Sequence, residues 1–188
     1  MNPEGFTQLH ALQTLRERLP EAAKDLKLNL QSVLVPGALN AAQTWGVAVA
    51  CAVSARNTEL RDALVSAARA EHGVELIEDA YAAAALMGMN NVFYKFKHLV
   101  GKPSYADKPA RLRMSRLVKP STNKLDFELF CLAVSAIGGC DICVQAHEKV
   151  VLEGGMTEEQ VHDAVRIASV VFGTAVALES AVLLGAAP

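Results

Sequence analysis

Apolar residues recurring at intervals of three and four dominate this chain, and the alternation of apolar and polar residues that marks a half-buried strand is almost absent. Stretches such as ELIEDAYAAAAL (75–86) are built from Ala, Leu and Glu, all strong helix formers. The chain is therefore expected to be all-α. Pro20 interrupts a first helix over 7–19 and suits the first turn of a second helix through LKLNLQSVL, which Pro36-Gly37 ends. Helices are expected over 40–56, 58–71 and 74–100, with Asn57 as a cap and Gly73 as a breaker. Residues 101–121, rich in proline and charge, read as a connector with a short helix over 110–117. Three more helices, 123–137, 140–152 and 157–184, are separated by Gly138-Gly139 and Gly154-Gly155, and Thr157-Glu158-Glu159-Gln160 has the form of a capping box.

This pattern predicts one helical domain over 1–188: N-terminal helices in 1–36, a first repeat in 40–100, the connector 101–121 and a second repeat in 122–184. Each repeat has a short, short, long plan of helices. QTWGVAVA (43–50) faintly echoes ELFCLAVS (128–135), and ELIEDAYAAAAL echoes EQVHDAVRIASV (159–170), so an internal duplication is expected. Under that alignment Cys140 and Cys143 fall opposite Ala55 and Thr58, and Glu128 opposite Gln43. Only the second copy carries ionisable redox groups.

Charge narrows the range of partners. With 18 basic and 20 acidic residues the formal net charge is -2, and no basic stripe interleaves with aromatics, which disfavours nucleic acid. The charged, amphipathic N-terminus lacks the apolar core of a secretory signal, so a cytoplasmic location is expected. In that reducing compartment four cysteines are not read as a disulfide framework. The most apolar run, 167–178, is bounded by Arg166 and Glu179; it is shorter than the roughly 20 residues that span a bilayer and reads as a buried helix.

The chemistry concentrates in GGCDICVQAHE (138–148). Cys140 and Cys143 at the start of a helix stand about one turn apart, within reach of a disulfide, where free N–H groups and the helix dipole favour a thiolate. His147 follows Cys143 by four residues on the same helical face, so the two can exchange a proton. Glu128 lies within the apolar segment LDFELFCLAVSAIG, where a carboxylate needs a partner; an antiparallel preceding helix would return it beside His147. The helix N-terminus favours Cys140 as the more acidic thiol, whereas the carboxylate and imidazole favour Cys143. The competing reading is a metal site, because Cys140, Cys143, His147 and Glu128 are all permissible zinc ligands in a non-catalytic helical oligomer. Cys51 and Cys131 have no ionisable helper and read as core residues; Trp45 and MGMNNVFY (87–94) read as packing, and His10, His72, His98 and His162 carry no partner pattern.

The stretch FELFCLAVSAIGGCDICVQAHE (127–148) resembles the active-site segment of the alkyl hydroperoxidase D (AhpD) family, within the carboxymuconolactone decarboxylase-like superfamily. LPEAAKDLKLNLQSVL (19–34), the helix around QTWG, ALMGMNNVFYKFKHLV (85–100) and RLRM (111–114) extend the likeness over about 19–184. The resemblance implies a dithiol enzyme, commonly a homotrimer, that reduces alkyl hydroperoxides or the disulfide of an AhpC-type peroxiredoxin. It implies no bound cofactor. Electrons would come from a dihydrolipoyl group on a lipoyl-bearing acyltransferase, itself reduced from NADH through dihydrolipoamide dehydrogenase. In that pattern Glu128, Cys140, Cys143 and His147 match the relay glutamate, the two cysteines and the relay histidine. Well-known members carry a histidine immediately before the second cysteine; here the position is Ile142. The high apolar content, 52% of residues, also points to an oligomer.

Overall fold

The computed structural model describes residues 11–181, which are helical and contain no strand. A helix over 11–17 (α1) precedes a 3₁₀ turn at Glu21–Ala23 and α2 (Lys24–Val33). Then come α3 (Ala41–Ala55), α4 (Thr58–Val100), the short turns α5 (Pro103–Ala106) and α6 (Ser115–Val118), and α7 (Lys124–Gly138), α8 (Asp141–Glu153) and α9 (Glu158–Ser180). The parts of the first and last expected helices at 7–10 and 182–184 lie outside the described residues.

Polar caps start the long helices. Asn40 Oδ1 accepts the Gln43 N–H at 2.9 Å and Gln43 Oε1 accepts the Asn40 N–H at 3.1 Å, a reciprocal box that satisfies two otherwise unpaired donors. Thr157 and Gln160 open α9 the same way, and Asn57 and Asn123 cap α4 and α7. Gly73 takes φ 81° and ψ 178°, a conformation open only to glycine, so α4 is two helices meeting at the expected break. The connector departs from expectation. Its helix is one turn at Ser115–Val118 instead of 110–117, and a second turn starts at Pro103, whose fixed φ suits a first helical position. Pro20 precedes the 3₁₀ turn and does not enter α2.

Two helices apolar on every side form the centre. Residues 43–52 of α3 and 127–135 of α7 are buried without a break, as expected of helices with neighbours all round. They cross so closely at Gly46 that a Cβ there would overlap the Phe130 ring. α4 and α9 pack along both, α8 packs on α7 and α4, and α2 covers α9. α9 has the length and apolar composition of a membrane span. Its Ala164, Ile167, Ala168, Val171 and Ala175 nevertheless line the protein core, as read from the sequence for the run 167–178.

The connector is tied down by one fully buried carboxylate. Asp79 accepts from Ser121 N–H at 2.8 Å, from Thr122 N–H and Thr122 Oγ–H at 2.7 Å each, and from Arg116 Nε–H at 3.0 Å. Four donors make ionised burial tolerable and fix where α7 begins, and hence the height of Glu128 within the core.

Candidate active site

α7 ends in a sharp reversal. Gly139 adopts φ 59°, its N–H bonds Ala136 O at 3.1 Å, and the Cys140 N–H bonds Ser135 O at 3.3 Å. Gly138 lies so close to Asn91 of α4 that a side chain there would collide with the amide, and Asn91 Oδ1 in turn accepts the Ser135 hydroxyl at 3.0 Å. The turn delivers Cys140 to the N-cap of α8, where no side chain caps the helix. α8 itself begins one residue later than expected, at Asp141.

Cys140 and Cys143 are joined in a disulfide, with Cα atoms 5.3 Å apart. Cys140 is fully buried, and Cys143 retains 5% exposure. One turn further along α8, His147 Nδ1 stands 2.6 Å from Glu128 Oε2, both side chains nearly buried. The antiparallel return of α7 against α8 thus brings the carboxylate to the imidazole as the sequence led one to expect. An ionised Glu128 accepts the Nδ1 proton, which leaves Nε2 to exchange protons. In this disulfide state Nε2 faces Met87 Sδ at 3.2 Å.

The other two cysteines differ in kind. Burial pushes the Cys51 thiol far up, and burial together with the charges of Glu128 and Asp79 does the same to Cys131, so both are inert core groups. The metal reading finds no support in geometry. Among the described residues no group of three or more His, Cys, Asp or Glu side chains is placed to hold an ion, and a disulfide's sulfurs are not thiolate ligands.

Comparison with known proteins identifies the chain's relatives. The model of the Carboxymuconolactone decarboxylase family matches residues 103–186. Over 171 residues the chain is 64% identical to the alkyl hydroperoxide reductase AhpD of Anaeromyxobacter dehalogenans (strain 2CP-C), covering 91% of this chain and 92% of the relative. Identity to the AhpD of Solibacter usitatus (strain Ellin6076) is 48% over 89% of this chain and 95% of the relative. For the Brucella abortus (strain 2308) AhpD the figures are 44%, 91% and 98%. The chain belongs to the AhpD family.

In this AhpD-family chain, residues without an assigned role in the sequence reading also border the site. Met87, Asn91, Lys95 and His98 succeed one another on one face of α4 and reach, in order, His147, Ser135, Gly138 O (3.3 Å) and Asp141 (3.1 Å from His98 Nε2). Their spacing is visible in MGMNNVFYKFKH; that this face of α4 meets α7 and α8 is a tertiary fact. Beyond His98, a groove of about 480 Å³ opens between Tyr94, Lys102, Pro103, Ala106 and Ile142. Ile142, standing between the two cysteines, forms part of its wall.

Proposed function

We propose that this protein is a cytoplasmic dithiol peroxidase that reduces alkyl hydroperoxides through Cys140 and Cys143, with a Glu128–His147 proton relay, and is itself reduced by a dihydrolipoyl group. The observation that carries the reading is a disulfide at an uncapped helix N-terminus with a buried carboxylate–imidazole pair one turn away. The names of the AhpD relatives support the same class of substrate.

In the reduced protein, His147 Nε2 takes the Cys143 proton while Glu128 stabilises the resulting imidazolium. The Cys143 thiolate attacks the terminal peroxide oxygen; the O–O bond breaks, the alcohol leaves with a proton from His147, and Cys143 becomes a sulfenic acid. The Cys140 thiol then displaces water from that sulfur and forms the disulfide. Cys143 takes the attacking role because it is the less buried residue of the two and the one that shares a helical face with His147. A dihydrolipoyl dithiol reverses the oxidation by two thiol–disulfide exchanges, its own two thiols ending as a disulfide. The disulfide of an AhpC-type peroxiredoxin enters by the same exchange in the opposite sense.

A homo-oligomer, as the family resemblance implies, is supported by α4. Tyr81, Ala85, Gly88, Val92, Phe96 and Leu99 form an exposed apolar row along it, with Val92 and Leu99 more than 70% exposed. Sedimentation should show a trimer, and a stable monomer at low micromolar concentration would refute the assembly.

Mass spectrometry after mild peroxide treatment of the reduced protein tests the redox step. Loss of two hydrogens confined to the peptide containing Cys140 and Cys143 is expected; pairing with Cys51 or Cys131 instead would defeat the assignment.

A further inference from the structure

Between the two cysteines the chain places an acid. Asp141 is the first residue of α8, and its carboxylate stands one residue from Cys140. A negative charge there favours the helix terminus, but it opposes formation of a second negative charge on the neighbouring sulfur. The structure sets an imidazole against it: His98, near the end of α4, holds Asp141 Oδ2 at 3.1 Å from its Nε2. Both side chains are about half exposed, so the pair contributes little to stability. Its consequence lies in the charge beside the dithiol.

We propose that His98 is a positioning residue for the thiol chemistry, its contact with Asp141 offsetting the carboxylate charge beside Cys140 and so making Cys140 the better leaving group. The inference rests on the reading of Cys140 and Cys143 as a working pair. During reduction of the disulfide, the incoming thiolate bonds to Cys143, the S–S bond breaks, and Cys140 leaves carrying the electron pair. A low proton affinity makes Cys140 a better leaving group. Acidity of the same thiol also sets how much Cys140 is ionised when it must displace water from the Cys143 sulfenic acid.

The charged neighbours are few. Lys95 donates to Gly138 O, at the turn that precedes Cys140. Lys97 is spent on the carbonyls of Ala106 and Lys108, at 2.8 and 3.0 Å. Lys102 and Asp107 line the adjoining groove with Tyr94. The Glu128–His147 pair lies one turn beyond Cys143 along α8 and serves the second sulfur.

The test uses reduced full-length Cys143→Ser protein, in which Cys140 is the reporting thiol because burial keeps Cys51 and Cys131 protonated. Ultraviolet thiolate absorbance is followed against pH at low salt. Added to that background, His98→Gln should raise the Cys140 midpoint by about 0.2 to 0.7 pH unit, the usual worth of one charge at a helix end. His98→Lys, which keeps a permanent charge, should leave the midpoint at or below that of the parent. Combining His98→Gln with Asp141→Asn should bring it back to the parent value, since the uncompensated acid is then gone. Equal midpoints in the parent and the His98→Gln variant would overturn the proposal, and so would failure of Asp141→Asn to reverse the shift. Since no peroxide or reductant is present, these outcomes are distinct from failure of the peroxidase reading itself.

Discussion

Glu128→Gln isolates the charge of the relay. Glutamine keeps the size of the side chain and a hydrogen-bonding oxygen, but it removes the negative charge 2.6 Å from His147 Nδ1. With opposite charges about 4 Å apart and an effective dielectric of about 20, the Coulomb attraction is at most about 4 kcal/mol. Charge-assisted hydrogen bonds measured in proteins fall lower, at about 1.5 to 3 kcal/mol. Loss of that support for the imidazolium corresponds to about 10- to 150-fold slower thiolate supply. The assay is Cys143 alkylation and peroxide turnover in the same samples as pH is raised in steps. Both rates should fall together at neutral pH and recover toward the parent as hydroxide takes over deprotonation. His147→Gln removes the proton acceptor in the same chain of events, so the double variant should lose far less than the product of the single losses. Unchanged rates in Glu128→Gln at every pH would mean that the carboxylate does not feed the thiol.

Asp79→Ala should destabilise the fold by about 3 to 5 kcal/mol, because Arg116 and the donors of Ser121 and Thr122 lose their shared acceptor; denaturant titration measures it. Gly46→Ala should cost about 1 to 3 kcal/mol through its overlap with Phe130, and Phe130→Leu in the same chain should recover part of the loss. Burial opposes ionisation of Asp163, but the Ala38 N–H and the Arg166 guanidinium outweigh it and hold its carboxyl below the usual range. Its contribution to stability is therefore present above the ordinary carboxylate range and disappears as pH falls through the lowered folded-state value. Asp163→Asn should accordingly lower the denaturation midpoint at neutral pH, with the difference from the parent shrinking toward the acid limit.

Helix content was legible because it is written in local terms. Asn40 with Gln43, Thr157 with Gln160, Asn57 and Gly73 mark ends whose hydrogen bonds or backbone angles depend on near neighbours. The connector was read less well, since its path follows Asp79, a residue about forty positions upstream whose partners no local pattern reveals. At the site, the C-x-x-C disulfide followed from spacing, and the approach of Glu128 to His147 followed from an antiparallel turn at Gly138-Gly139. His98 and Met87 escaped because their relevance depends on which side of α4 faces α8. That choice is made by the burial of α3 and α7 between the longer helices, a property of the whole packing.

Turnover of an organic hydroperoxide with dihydrolipoamide as the only reductant tests the dithiol cycle most directly. Peroxide loss should match dihydrolipoamide oxidation one for one. Cys143→Ser should abolish catalysis, and Cys140→Ser given peroxide before any reductant should consume one equivalent and stop with a sulfenic acid on Cys143. Peroxide consumption no faster than the uncatalysed reaction, or a Cys143→Ser variant that retains the parent rate, would contradict a peroxidase built on this pair.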